Sequence, residues 1–252
     1  MLLSLYGKKA IVTGGGSGLC KGIAQALHDS GAEVVLVSHT PDTYDTAKEM
    51  EKEGERVHAV VGDLSTKSEL DRIYEECIQK LGGRLDILVN GAGIQFRSPA
   101  VDFPEEEWHK VIRVNLDAVF FMSQNAGRTM LKQKYGKIIN IASMTSFIGS
   151  ELIPAYTASK AGVAQLTKAL SNEWAKEGIN VNAIAPGYMA TALTASIKEK
   201  NPAQYEDINR RIPMGRWGTA EDLQGISVFL ASDASSYISG AIIPVDGGML
   251  GK

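Results

Sequence analysis

Lys8-Lys9-Ala10-Ile11-Val12-Thr13-Gly14-Gly15-Gly16-Ser17-Gly18-Leu19-Cys20 is the stretch on which the fold turns. Its apolar half reads as a short strand, its glycines as a tight turn, and the residues from Gly18 onward as the start of a helix. A strand that runs through glycines straight into a helix leaves backbone N–H groups and the positive end of the helix dipole facing one spot. A pyrophosphate fits there. Gly14, Ser17, Gly18 and Leu19 are accordingly candidate cofactor-binding residues.

Outward from this unit, β-rich runs recur at 10–13, 34–37, 57–61, 87–89, 138–142, 181–185 and 242–245. Stretches with helical spacing lie between them, among them 18–30, 43–53, 67–81, 105–132 and 155–177. Strands that are apolar throughout and alternate with helices predict a parallel sheet covered on both faces. The expectation is an α/β, doubly wound (Rossmann) seven-stranded parallel sheet in a single domain spanning 1–252. In such a sheet ligands bind outside the carboxyl ends of the strands.

Composition narrows the function classes. The 252 residues are 44% hydrophobic and 22% charged, with a formal charge of −3 and no Lys/Arg cluster, so neither nucleic acid nor an anionic membrane is expected as a partner. Met1-Leu2-Leu3-Ser4-Leu5-Tyr6 has no cationic leader and too short an apolar run for a signal peptide or span, which predicts a cytoplasmic protein. Cys20 and Cys77 make no disulfide framework, and His28, His39, His58 and His109 are scattered, so no metal site is expected.

The chemistry lies in Ser143-x12-Tyr156-x3-Lys160. On a helix, Tyr156 and Lys160 project from one face, a turn apart. A free phenol has a pKa of about 10, and bringing it to about 7 takes roughly 4 kcal/mol of differential stabilisation. The Lys160 cation is expected to supply much of that, while the Ser143 hydroxyl bonds the same substrate oxygen. This is carbonyl and alcohol chemistry.

Three more segments sit at strand ends. Asp63 and Leu64 close the third strand, where the carboxylate can accept from an adenine amine and Leu64 offers its backbone. Asn90-Gly91-Ala92-Gly93 closes the fourth, with Asn90, Ala92 and Gly93 placed to let backbone approach the adenosine ribose. The second strand ends in Ser38 and His39, with no acidic residue to hold a ribose 2′-hydroxyl and no Arg or Lys at 17, 38 or 39 to meet a 2′-phosphate. The reading leans to NAD and leaves NADP open. Where the glycine pattern usually ends Gly-x-Gly, Gly18-Leu19-Cys20 substitutes a small thiol, for which the expectation is a packing adjustment.

Taken together, Thr13-Gly14-x3-Gly18, Asp63, Asn90-Gly91-Ala92-Gly93, Asn115, Ser143, Tyr156-x3-Lys160 and Pro186-Gly187 resemble the classical short-chain dehydrogenases/reductases over essentially the whole chain. Cys20 and Gly91 depart from that pattern. The resemblance implies that Tyr156 is the general acid/base, that Ser143 polarises the carbonyl, and that Lys160 binds the nicotinamide ribose. It implies that Asn115 completes a catalytic tetrad by holding a water that links Lys160 to solvent. Pro186, Gly187, Met189 and Thr191 would surround the nicotinamide carboxamide, and a substrate lid would span about 188–216. The resemblance also implies a homotetramer built on the long helices.

Phe120 to Gln124, Gly136 to Met144, Asn172 to Lys176 and Gly215 to Gly218 are similar to the sugar-acid dehydrogenases of this family. That implies a small-molecule substrate of the 2-deoxygluconate or 2-keto-3-deoxygluconate type, with Arg97 in position for its carboxylate beside Ser143 and Tyr156. The alternatives are a 3-oxoacyl carrier-protein reductase, a steroid or general ketone reductase, and a nucleotide-sensing protein without turnover.

Overall fold

A computed structural model describes residues 2–51, 56–191 and 201–251. Its seven strands are β1 (Lys9–Thr13), β2 (Glu33–Ser38), β3 (Val57–Val61), β4 (Ile87–Asn90), β5 (Gly136–Ile141), β6 (Ile179–Pro186) and β7 (Ile242–Val245). All pair in parallel in the order β3-β2-β1-β4-β5-β6-β7. The expected doubly wound sheet is present.

The alternation of side chains along each strand sends a core to each face. On one face Ala10, Val12, Val34, Leu36, Val89 and Ile139 pack under α1 (Gly18–Asp29), α2 (Thr43–Met50) and a helix at Glu221–Ala231. On the other face Ile11, Val35, Leu88 and Ile138 pack under α3 (Lys67–Lys80), α5 (Ala118–Gln133) and α6 (Pro154–Trp174). Strand order reverses between β1 and β4, where Thr13 and Asn90 are register partners, and the crevice of such a fold opens at that switch point.

Three features of the helices go beyond the sequence pattern. The single helix over 105–132 is instead α4 (Glu105–Ile112), a π-helical turn at Arg113–Asp117, and α5. The apolar spacing runs through this insertion without a break, which hides it from a periodicity argument. Within the expected lid, α7 (Pro202–Arg211) starts on a proline, whose missing N–H costs nothing at a helix's first position. The helix Glu221–Ala231, here α8, was not anticipated, although Leu223, Leu230 and Ala231 bury one side of it. The first part of the expected lid, residues 192–200, lies outside the described residues.

Candidate active site

Ser143 leaves the end of β5 in extended backbone and caps the 3-10 turn Met144–Ser146, its Oγ accepting from Thr145 N at 3.1 Å. Ser146 Oγ donates to Lys160 O at 2.7 Å, which fastens that turn to α6. Pro154 starts α6, so Tyr156 and Lys160 fall in its first two turns, one above the other. The Ser143 hydroxyl lies close enough to the Tyr156 phenol to oppose its upward shift, and Lys160 Nζ stands 5.7 Å from the phenol ring centroid. Lys160 is buried, and its Nζ donates to Ile141 O at 2.6 Å.

Electrostatics here differ from the expectation in one respect. Burial pushes the Tyr156 phenol up, opposed by Ser143, and burial also pushes Lys160 down to about 8. Burial is the largest influence on the phenol and on the amine alike, and the amine is bonded to a main-chain carbonyl. Cys20, also buried, has its thiol pushed up to about 11, with Lys160 opposing the shift. A thiol so high is protonated at neutral pH, unlike a redox-sensing cysteine.

Asn115 sits on the π turn and is fully buried. Its Nδ2 donates to Ile94 O at 2.9 Å, its Oδ1 accepts from Ile94 N at 2.8 Å, and Nδ2 also reaches Ser159 Oγ at 3.3 Å. The amide thus pairs with Ile94 as a neighbouring strand would, and joins the segment after β4 to α6. A Cβ built on Gly93 would lie 3.4 Å from Asn115 Oδ1 and 3.7 Å from Lys160 Nζ. All four members of the expected tetrad therefore gather at the carboxyl ends of β4 and β5.

At Gly14, Gly15 and Gly16 the turn has no room for a side chain. Gly14 has φ 74°, and a Cβ there would stand 3.0 Å from Ala92 N. Thr13 Oγ1 accepts from Gly91 N at 3.0 Å and Ala92 N at 3.2 Å, holding the two segments together. Ser17 and Gly18 are exposed, and Ser17 makes no side-chain cap on α1, so the helix's first N–H groups keep their donors for an anion. A dinucleotide pyrophosphate fits this cradle.

Other expected residues divide. Ser38 and His39 end β2, with His39 exposed. Both oxygens of Asp63 are engaged by Ser65, through its N and its Oγ, each at 2.8 Å; these bonds, with smaller help from His39 and Lys110, hold the carboxyl below its usual range. Leu64 is buried behind it. Asn90 turns its side chain into the core, where Nδ2 donates to Ser123 Oγ at 3.0 Å and Asn140 Oδ1 at 2.9 Å. Only its main chain is left for a ligand. Pro186 ends β6 and Gly187 N donates to Val245 O at 3.0 Å. Met189 is buried and bridges to Gly218, while Thr191 is half-buried at the edge of the described segment. Arg97 is exposed, and Ser98 N donates to Leu152 O at 2.9 Å, which docks its loop against the one that leads into α6.

Sequence reasoning missed two features. Asn140, 0% exposed, passes the chain of bonds on to Thr167 Oγ1 at 2.9 Å, so a polar path crosses from α5 through β4 and β5 to α6. An asparagine amid Ile138-Ile139-Asn140-Ile141 was the available signal. Beyond Tyr188 lies a cavity of about 320 Å³, walled in part by Met214, Arg216, Asp222 and Asp246. Arg216 there is bound by Asp222 through two bonds of 2.7 and 2.8 Å, which hold that carboxyl well below its usual range. Its charge is already matched.

The chain is similar to known proteins over nearly its whole length. A family model described as enoyl-(acyl carrier protein) reductase matches residues 14–250. The 2-dehydro-3-deoxy-D-gluconate 5-dehydrogenase of Bacillus subtilis (strain 168) is 50% identical over 249 residues, 99% of this chain and 97% of the relative. The 5-keto-D-gluconate 5-reductase of Escherichia coli (strain K12) is 41% identical over 250 residues, covering 99% and 98%. Among solved structures, gluconate 5-dehydrogenase from Burkholderia cenocepacia J2315 in complex with NADP and tartrate superposes with a TM-score of 0.93 at 36% identity, covering 100% of this chain and 98% of that one.

Proposed function

This chain belongs to the short-chain dehydrogenase/reductase family, and from that premise we propose that it is a nicotinamide-dependent oxidoreductase of sugar acids. It would interconvert a secondary hydroxyl and a ketone on an open-chain substrate of the 2-deoxygluconate or 2-keto-3-deoxygluconate type. One observation carries the reading: a phenol and a buried amine one helical turn apart, with the Ser143 hydroxyl beside that phenol, at the switch-point edge of the sheet.

When bound, the nicotinamide supplies the hydride acceptor or donor. Gly14, Ser17, Gly18 and Leu19 would hold its pyrophosphate, with Ser38, His39, Asp63, Leu64 and the Asn90–Gly93 main chain at the adenosine end. Pro186, Gly187, Met189 and Thr191 would hold the carboxamide end. The substrate oxygen accepts from Ser143 and exchanges its proton with Tyr156; Lys160 and Asn115 position that phenol and its proton path. Arg97 would pair with the substrate carboxylate, the exposed guanidinium being free of the kind of bidentate clamp that holds Arg216.

The cofactor reading leans to NAD, because no Arg or Lys stands at 17, 38 or 39. The NADP in the Burkholderia structure makes a direct comparison necessary. The names of the curated relatives support the sugar-acid class over carrier-protein or steroid reduction. No described helix is long and apolar enough to cross a membrane, in keeping with a cytoplasmic enzyme. Exposed Val101 and Trp108, near and on α4, support assembly through the α4–α5 helices into a tetramer.

The test is a set of initial rates with NAD and NADP over gluconate derivatives and their ketones, for wild type and Tyr156→Phe. Wild type turns over sugar acids, and the variant loses about 10²–10⁴-fold. Alcohol oxidation needs the phenolate, so with the phenol pushed up its rate rises with pH while ketone reduction falls. Equal turnover by the two proteins would overturn the reading.

A further inference from the structure

Cys20, in the first turn of α1, is 6% exposed, and a Cβ built on Gly91 would lie 2.2 Å from its sulfur. Non-bonded heavy atoms settle at about 3.5–4.0 Å, so this backbone spacing cannot accept the cysteine and a side chain at 91 together. The glycine is confined on its other side too: the same Cβ would stand 3.0 Å from Thr13 O. Thr13 Oγ1 holds both Gly91 N and Ala92 N, so this stretch cannot move away from α1 without losing those bonds.

Two residues further on, a Cβ built on Gly93 would lie 3.4 Å from Asn115 Oδ1 and 3.7 Å from Lys160 Nζ. The Gly91–Gly93 backbone therefore lies between the sulfur and the buried amine. The mutual influence of Cys20 and Lys160 on each other's protonation is a separate sign that the two ends are close.

We propose that Cys20 and Gly91 are a size-matched pair that fixes where the Gly91–Gly93 backbone lies between the glycine turn and Lys160, making Cys20 a positioning residue for that amine. The proposal rests on the catalytic reading of Lys160. The sulfur acts by its volume and not by redox chemistry. Sequence positions 20 and 91 are read together because β1 and β4 are neighbours.

The test is a double-mutant cycle of Gly91→Ala, Cys20→Gly and Cys20→Gly/Gly91→Ala, read by thermal midpoint, by dinucleotide affinity, and by kcat with its pH profile. Gly91→Ala is expected to lower kcat by about 10- to 100-fold and to move the pH midpoint of kcat, since small displacements at a reacting centre cost that much. Adding Cys20→Gly is expected to bring kcat and midpoint back to within about threefold and a few degrees, a non-additive result. The pair is refuted if the double variant is as poor as the product of the singles, or if Gly91→Ala lowers only the thermal midpoint. Should Gly91→Ala fail to fold, Cys20→Ala/Gly91→Ala must fold, and its failure also refutes the pair. Absence of turnover in wild type would instead sink the enzymatic reading, while the thermal cycle would still decide the packing.

Discussion

Two lysines bracket β5. Lys137 lies near its amino end and Lys160 Nζ is bonded to Ile141 O at its carboxyl end; both residues are buried, and burial pushes both down to about 8. Their company differs. Lys137 Nζ donates to Asn180 Oδ1 at 2.8 Å and Ser235 Oγ at 3.4 Å, and the nearby charges are Asp233, which raises it, and Lys8, which lowers it further. Lys160 instead has the Tyr156 phenol and the Ile141 carbonyl beside it, on the side of the Gly93 segment. A perturbed lysine is thus no evidence of a site by itself; its position at the ligand-binding edge of the sheet and its neighbours distinguish the two.

The largest test of that contrast exchanges each amine for a thioether. Lys160→Met is expected to lower kcat by about 10²–10⁴-fold, whereas Lys137→Met should keep kcat within about threefold once the folded fraction is matched. Comparable losses in both, measured at saturating substrate and dinucleotide, would break the distinction between the edges.

A third cation extends the comparison to exposed positions. Arg97 stands at the same edge as Lys160 but in solvent, so its role is binding and not proton transfer. Losing a hydrogen bond to a charged group costs about 1.5–3 kcal/mol, so Arg97→Ala should raise KM for sugar acids by about 10- to 100-fold. For a neutral ketone KM should barely change. An equal rise for both substrates would remove Arg97 from the carboxylate role.

How much of this was legible follows from how far each signal reaches along the chain. β1, the glycine turn and α1 are contiguous, and Tyr156 and Lys160 are one helical turn apart, so local spacing exposes them. The π turn under Asn115 inserts a residue without interrupting apolar spacing, and Pro202 reads equally as a breaker or a first helical residue. Asn90 offers a different lesson: its place at the strand end suggests a ligand, but its side chain is spent on Ser123 and Asn140. That path, and the meeting of Cys20 with Gly91, exist only once β1, β4 and β5 are side by side. Sequence distance conceals them.

The smallest effect concerns stability, and it isolates Lys137 from Lys160 without any catalysis. An unfolded lysine titrates near 10.5 and folded Lys137 near 8, so between these values the unfolded chain holds a proton that the folded one has released. Stability conferred through this group therefore rises with pH across that window, and the penalty of burying its charge is fully present below about pH 8. Lys137→Met removes the penalty along with the bonds to Asn180 and Ser235, whose loss does not depend on pH. Relative to wild type, the variant's thermal midpoint should be most favourable below pH 8 and lose ground as pH approaches 10.5. With each pKa unit worth about 1.4 kcal/mol, and about 2–4 °C per kcal/mol for a chain of this size, the drift should amount to roughly 10 °C. Buried tyrosines and cysteines titrate in the same range, but they are common to both proteins and cancel in the difference. A difference that stays constant over pH 7 to 10.5 would mean that Lys137 is not desolvated as its surroundings require.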